Sequence, residues 1–571
     1  MTQHTAPAPS PASPEPAARQ ELDRPERDRQ AVDRRALLRL GAGAAAAAAL
    51  TGCTGRAATG AGPVASTAPG PAHSPAHSPS TVPGSTPSSS APAASAGPAD
   101  WTALAKDLQG TLIRPGDTPY PAAARQYQPQ FDGVRPGGVL YPANAQDAVT
   151  ALAFAGRYGL PVALRSGGHN YGGWSAGPGL VLDVGRLNTV TASGGGATVG
   201  AGARLIDVYA GLAGQGVAIP AGSCPSVGVT GLTLGGGVGV TSRAYGLTCD
   251  SLTGAEVVTA DGRILRADAN SEPDLFWALR GGGGGNFGVV TSLDFRTSPA
   301  VDCSYAFLSW PWSSAAAVVR AWQAWAPTAP DQLWADLHLL AWPDGRLELS
   351  STAVHLGPAD ELSNLIDRLG VQPSSAPVHS KSFLETMQVM GGVSGWTQAA
   401  AHLPGSLPGQ NPQGRLTRES YAARSDFFTK ALPDTGIAAL VAAVADYART
   451  APQGGSAGVA FDALGGAVNR VAPGDTAFVH RDALFLAQYT ANYPGTGAGS
   501  GPGVDQSRSW LNTLWSALRR YASGQAYQNY ADPQLTDWEQ AYYGANAPRL
   551  RQVKQQYDPR GTFHFPQSVP L

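Results

Sequence analysis

The chain is short of cysteine, of net charge and of long hydrophobic runs, and each shortage excludes something. Only four cysteines occur in 571 residues. Cys249 and Cys303 have two fates open in an exported protein, a disulfide or buried free thiols, and spacing does not choose between them. No His, Cys and carboxylate group has metal-ligand spacing, so no metal is expected. A formal net charge of -2 gives no reason to expect nucleic acid as a partner. The run ALLRLGAGAAAAAALTG is too short and too rich in alanine for a comfortable membrane span. There is no GxxxxGK[ST] phosphate loop and no repeat of solenoid length.

The N-terminus is a targeting segment. Arg34 and Arg35 precede the weakly apolar run, the form of a twin-arginine export signal, and LTGC at 50–53 resembles a bacterial lipobox that would make Cys53 a lipid anchor. An ordinary signal peptide with Cys53 incidental is the other reading. Residues 54–100 are almost wholly Ala, Pro, Ser, Gly and Thr, with repeated AHSP, and cannot build a core; they read as a disordered tether. Residues 1–53 are thus an export signal, and the expected location is the cell surface, as a lipoprotein, or the exterior.

The body begins near Trp101, and with 43% hydrophobic residues overall the chain can bury a large core, as two domains. PANAQDAVTALAFAGRYG has helical apolar spacing, with Asn144 or Asp147 near its start and a glycine at its end. PVALR reads as a short buried strand. GLVLDV, ATVGAG and VVTADGRIL read as further strands, the last turning at Asp261-Gly262. Helices and strands intermix, which predicts α+β. Three stretches concentrate 18 of the chain's 71 glycines: RSGGHNYGG (165–173), GSCPSVGVTGLTLGGGVGVTSRAYGLTCD (222–250) and LRGGGGGNFGVVTSLDF (279–295). One such stretch is weak evidence. Three beside apolar strands predict backbone packed around one long phosphate-bearing cofactor. A loop histidine on a phosphate and a buried inert thiol are the plainer readings of His169 and Cys224.

RSGGHNYGG, CPSVGVTGLTLGGGVGVTSRAYGL, LFWALRGGGGGNFGVV, YQNYADPQL and YYGANAPRLRQVKQQYDPRGTFHFPQSV, in that order, resemble the berberine bridge enzyme-like flavin oxidases of the wider vanillyl-alcohol oxidase group. The likeness runs from about residue 104 to the C-terminus. It implies a two-part FAD-binding domain, 101–302 with the returning segment 521–571, and an inserted substrate domain, 303–520, built on an antiparallel sheet. It implies FAD bound bicovalently, through His169 to the 8α-methyl carbon and through Cys224 to C6. Imidazole and thiolate are nucleophiles suited to an electron-poor flavin. The matched motifs also assign Arg165, Ser166, Gly167, Gly168, Asn170, Gly228, Thr230, Gly231, Gly235, Gly236, Gly239, Val258 and Asn529 to the cofactor. Two departures, CDSL and TANYPG, leave details of the pocket open.

For the reaction, the resemblance implies Tyr530 as the base that takes the substrate's hydroxyl proton, with Tyr171 helping and Gln488 facing the substrate. A tyrosine with a pKa near 10 is protonated at neutral pH, so Tyr530 is expected to be made more acidic by its neighbours. Tyr527, Tyr542 and Tyr543 are expected to be core. Leu550, Val553 and Tyr557 behind Pro548 predict a packing helix stopped by Asp558-Pro559. Most of Trp310, Trp312, Trp322, Trp325, Trp334 and Trp342 are expected to be core, and FVHRDALFLAQYTANY to be a strand. The implied function is an FAD oxidase that dehydrogenates an alcohol or sugar hemiacetal, with dioxygen as the second substrate and hydrogen peroxide as product. Val227, three residues after Cys224, is compatible with oxygen access. The rivals are a dehydrogenase with another electron acceptor and a non-catalytic flavin-binding lipoprotein.

Overall fold

The computed structural model describes residues 96–571 apart from 343, 451–454 and 494–501. The twin arginines, the lipobox with Cys53 and the tether up to residue 95 lie outside the described residues.

Three main sheets carry the α+β fold. The first joins β1 (Thr111–Ile113), β2 (Gly138–Tyr141), β3 (Val162–Arg165) and β4 (Leu180–Asp183) in the order β1-β2-β4-β3. Within it β2, β4 and β3 run parallel, which requires a crossover between β2 and β3. The helix Ala145–Tyr158 supplies it: the Asn144 side chain accepts the Asp147 amide at 3.0 Å, and Gly159 closes the helix at φ 62°. Asn144 is thus the cap, and Asp147 stands in the first turn. The end of β3 leads straight into the histidine loop.

The second sheet is antiparallel, of β5 (Val190–Ser193), β6 (Gly196–Gly200), β7 (Leu252–Val258), β8 (Ile264–Asp268) and β9 (Val289–Arg296), ordered β5-β6-β9-β7-β8. The β7-β8 hairpin turns through Asp261-Gly262, where Gly262 takes φ 84°.

The third sheet has seven strands: β10 (Cys303–Trp310), β11 (Leu333–Ala341), β12 (Leu347–His355), β13 (Val378–Lys381), β14 (Tyr421–Phe428), β15 (Ser456–Ala463) and β16 (Phe485–Asn492). Their order is β13-β10-β12-β11-β15-β16-β14, antiparallel throughout. One face, with Leu337, Leu339, Val459, Phe461, Ala487 and Tyr489, packs beneath helices that contribute Trp322, Leu440 and Leu514. The opposite face carries polar side chains. By register, His338, Ala460, Gln488 and Ser425 form one row across it, and Asp336, Asp462, Leu486 and Phe427 the next.

The long strand expected from FVHRDALFLAQYTANY begins only at Phe485. Before it, Arg481 is drawn into a buried ion pair with Asp250 at 2.7 Å, and His480 Nδ1 lies 2.8 Å from Gln525 Oε1. Those contacts hold 480–481 out of the ladder. Because both faces of β16 are covered, its burial does not alternate although its side chains do.

Apolar residues of the last segment, among them Ala526, Leu535, Tyr542, Leu550, Val553 and Phe563, share one core with Leu140, Leu182, Val199, Val257 and Leu293. The helix Ala547–Tyr557 is the expected packing helix, with Asp558 as its C-cap. Cys249 and Cys303 are separate buried thiols and do not pair. Trp310, Trp322, Trp325 and Trp334 are core; Trp312 and Trp342 are partly exposed.

Candidate active site

The histidine loop and the cysteine loop meet. His169 Nε2 lies 3.0 Å from Ser226 Oγ, two residues past Cys224, and the ring stacks on Tyr127 at 3.9 Å. Burial pushes the imidazole down to about 3, and the positive charge of Arg204 adds to this. His169 is therefore a neutral base with Nε2 engaged, which leaves Nδ1 as the nitrogen for a new bond. Cys224 and Val227 pack beside Tyr127, Tyr171 and Tyr421. Gly167 and Gly228 stand back to back: a Cβ on Gly167 would lie 2.2 Å from Gly228 N. Only glycine permits that approach.

The remaining glycines frame a space. Ser166 and Thr230 hydroxyls both donate to Ala201 O, at 2.8 and 2.7 Å, which fixes the start of the short helix Val229–Leu234 against the histidine loop. On this helix Gly231 is exposed, and a Cβ there would meet nothing within 4 Å. A Cβ on Gly284, from the third glycine run, would touch only Gly231 Cα, at 3.7 Å. Two glycine runs thus border open room beside a neutral imidazole, and this set of residues fits a long planar cofactor with a phosphate-bearing tail. Asn170 Oδ1 accepts the amides of Gly172 and Trp174 and so shapes the loop, and Gly168 turns at φ 72°.

The C-terminal segment closes the site. Asn529 Nδ2 donates to Leu232 O and to Tyr527 OH, both at 2.9 Å, and its Oδ1 would lie 2.0 Å from a Cβ on Gly235. Gly236 is pressed in the same way by Phe478, and Gly239 by Ala221 O. Tyr527 OH also accepts the amides of Gly237 and Val238. Tyr527, Tyr542 and Tyr543 are buried.

Tyr171, Gln488 and Tyr530 come together as the motifs implied. Gln488 Nε2 donates to Tyr171 OH at 2.9 Å, and the Tyr171 ring stacks on Tyr530 at 5.3 Å, with planes 8° apart. Gln488 Oε1 is buried without a partner. One expectation fails. Burial, then the charges of Tyr171, Asp462 and Tyr527, push the Tyr530 phenol well above its ordinary value, and no cation lies among these influences to lower it. Burial likewise lifts Tyr171 to about 12.

Two residues assigned to the cofactor have their side chains engaged within the fold. Arg165 spends its guanidinium on Asp183 at 2.6 Å and on the carbonyls of Ala123 and Arg125. The Val258 side chain is fully buried in the core at the end of β7. Sequence reasoning missed Asp462, whose charge acts on both Tyr171 and Tyr530. It also missed Asp336 and His338 beside it. The signal was there in WADLHLL, where polar residues two apart interrupt an otherwise apolar strand.

Residues 136–268 match the family model of an FAD binding domain, and residues 526–570 match that of berberine and berberine-like proteins. An uncharacterized FAD-linked oxidoreductase of Bacillus subtilis is 34% identical, over 81% of this chain and 97% of its own length. A xylooligosaccharide oxidase of Thermothelomyces thermophilus is 32% identical, over 76% of this chain and 87% of its own. Among solved structures, glucooligosaccharide oxidase from Acremonium strictum, with its 6-S-cysteinyl, 8α-N1-histidyl FAD, superposes with a TM-score of 0.72 at 26% identity. It covers 82% of this chain and 98% of its own. The cofactor is FAD and the protein is an enzyme. The chain belongs to the berberine bridge enzyme-like family of FAD-linked oxidoreductases.

Proposed function

We propose that this enzyme is an FAD oxidase that dehydrogenates a sugar hemiacetal or a related secondary alcohol. The observation that carries the reading is the stack of Tyr171 on Tyr530, tied through Gln488 to a polar sheet face, beside the His169 and Cys224 loops. His169 through Nδ1 and Cys224 through its sulfur are the residues to hold the flavin covalently, and the glycine runs line its length. When bound, FAD supplies a hydride acceptor that dioxygen regenerates with release of hydrogen peroxide.

The chain's own part is the proton. Tyr530 receives the substrate's hydroxyl proton and, being itself protonated, must pass its own onward. Asp462 is the acceptor on the same side: burial, with Asp336 adding, lifts its carboxyl to about 7, where it exchanges protons at neutral pH. Gln488 and Tyr171 hold the ring of Tyr530 and hydrogen-bond the sugar. The flavin domain is residues 101–302 with 521–571, and 303–520 bind the substrate. The N-terminal leader and LTGC motif support export by the twin-arginine route and anchoring at Cys53.

The test is a screen of mono- and oligosaccharides for hydrogen peroxide, followed by Tyr530→Phe. The expected loss in kcat/KM is about 10²- to 10⁴-fold, with flavin content unchanged. Full activity in Tyr530→Phe refutes the base assignment. Turnover without stoichiometric peroxide points to another electron acceptor.

A further inference from the structure

The site-facing side of the third sheet holds a charged cluster of which the proposed reaction uses only Asp462. Asp336 and Asp462 are register partners on β11 and β15, so their side chains leave the same face about 5 Å apart. His338, two residues along β11, shares that face, and its Nε2 lies 3.0 Å from Asp336 Oδ2. Asp336 is fixed in turn: its Oδ1 accepts the Thr352 amide at 2.5 Å and its main-chain oxygen accepts the Ser351 hydroxyl at 2.5 Å. His338 is only 2% exposed. The residue between His338 and Gln488 across the sheet is Ala460, too small to shield one from the other.

Resting on the reading that Tyr530 serves as the base, we propose that Asp336 and His338 are positioning residues: a buried counter-charge pair, laid beside Asp462, that fixes the charge of the carboxyl serving Tyr530. Two like carboxyls at this spacing repel, and an imidazolium alongside relieves the repulsion. The groups facing the cluster are Asp462 from β15, Glu348 from β12, and Tyr171 and Tyr530 from the loops opposite. Arg346 lies behind Glu348, 2.9 Å from its Oε2. Burial opposes the charged form of the His338 ring, but Asp336, Asp462 and Glu348 together hold the ring above its ordinary value and so favour that form. The His338 charge favours ionised Asp462, and that of Asp336 opposes it. Asp462, at about 7, can therefore take a proton near neutrality beside a pair of opposite charges, with no net positive charge placed in the pocket. No oxidant or further reactant is involved: the proton leaving Tyr530 goes to the Asp462 carboxylate.

The experiment uses the holoenzyme. The carboxyl infrared band that disappears in Asp462→Asn is followed against pH in wild type and in His338→Gln, and ¹⁵N-histidine NMR follows the His338 ring in wild type and in Asp336→Asn. His338→Gln is expected to raise the Asp462 midpoint by about one pH unit, a tenfold change in proton affinity. Asp336→Asn is expected to lower the His338 midpoint. With sugar present, the acid limb of anaerobic flavin reduction moves up in His338→Gln by the same amount. Unmoved midpoints, or a His338 ring neutral in wild type while Asp462 is ionised, overturn the proposal. If either variant fails to fold, the other and the wild-type NMR decide. A wild type that oxidises no sugar, yet shows both shifts, defeats the activity reading and leaves the charge coupling standing. Activity with an unshifted limb defeats the coupling alone.

Discussion

Gly231 separates the demands of the fold from those of the cofactor. It lies inside the helix Val229–Leu234, yet a Cβ there would meet nothing within 4 Å. For the polypeptide alone, glycine is the wrong residue: replacing it with alanine in a helix gains about 0.5–1 kcal/mol. Leucine, close to alanine in helix propensity, gains nearly as much. If the open room is the flavin's, the same leucine fills it. Gly231→Leu should therefore raise the urea midpoint of the apoprotein, prepared from riboflavin-starved cells, while flavin bound per chain in replete cells falls at least tenfold. Gly228→Ala is the contrast. Its Cβ would lie 2.1 Å from Ser166 Oγ and 2.3 Å from Gly167 N, so overpacking costs the apoprotein about 1–3 kcal/mol. A Gly231→Leu protein with a full complement of flavin refutes the placement of the cofactor along this helix.

Lys554→Met should destabilise the docking of the C-terminal segment. The ammonium spends its donors on Asn286 O, Phe563 O and Asp558 Oδ2 at 2.6–2.7 Å, all buried. Removing it strands a buried carboxylate, at about 3–5 kcal/mol; thermal unfolding reads this, and an unchanged melting temperature defeats it. His480 should make stability pH-dependent. It is fully buried, stacked on Phe427 at 4.1 Å, and burial lowers its value to about 4. Its stabilisation is therefore present above the unfolded value of about 6.5 and lost as pH falls towards 4, by about 3 kcal/mol. Denaturant midpoints across that window should fall less in His480→Gln than in wild type; equal slopes count against it.

Local chemistry explains what could be read in advance. Asn144 and Gly159 bracket a helix because capping is settled within a few residues, and the Asp261-Gly262 hairpin follows from one glycine at positive φ. His169, Cys224, Tyr171, Gln488 and Tyr530 could be singled out because long motifs surround them, and the fold brings the last three together. Asp462, Asp336 and His338 were not, because their meaning depends on register between β11 and β15, more than 100 residues apart in sequence. The partner of the Arg165 side chain was hidden for a related reason: Asp183 sits on a neighbouring strand of the sheet. The expected acidity of Tyr530 required a neighbouring cation, and the fold surrounds it with aromatic rings and carboxyls instead.

The third glycine run is sealed by residues that arrive last. Gln528 Nε2 donates to Gly281 O, Tyr543 OH to Gly282 O and Lys554 Nζ to Asn286 O, each contact spanning about 250 residues of intervening chain. Contacts of such sequence separation form late and slowly. A nascent chain that has not yet exposed residues 522–571 lacks Asn529, Tyr530 and the helix Ala547–Tyr557 together. The loop is left unlatched. Synthesis order therefore works as a timer: closure of this loop waits on the segment that carries Gln528, Tyr543 and Lys554.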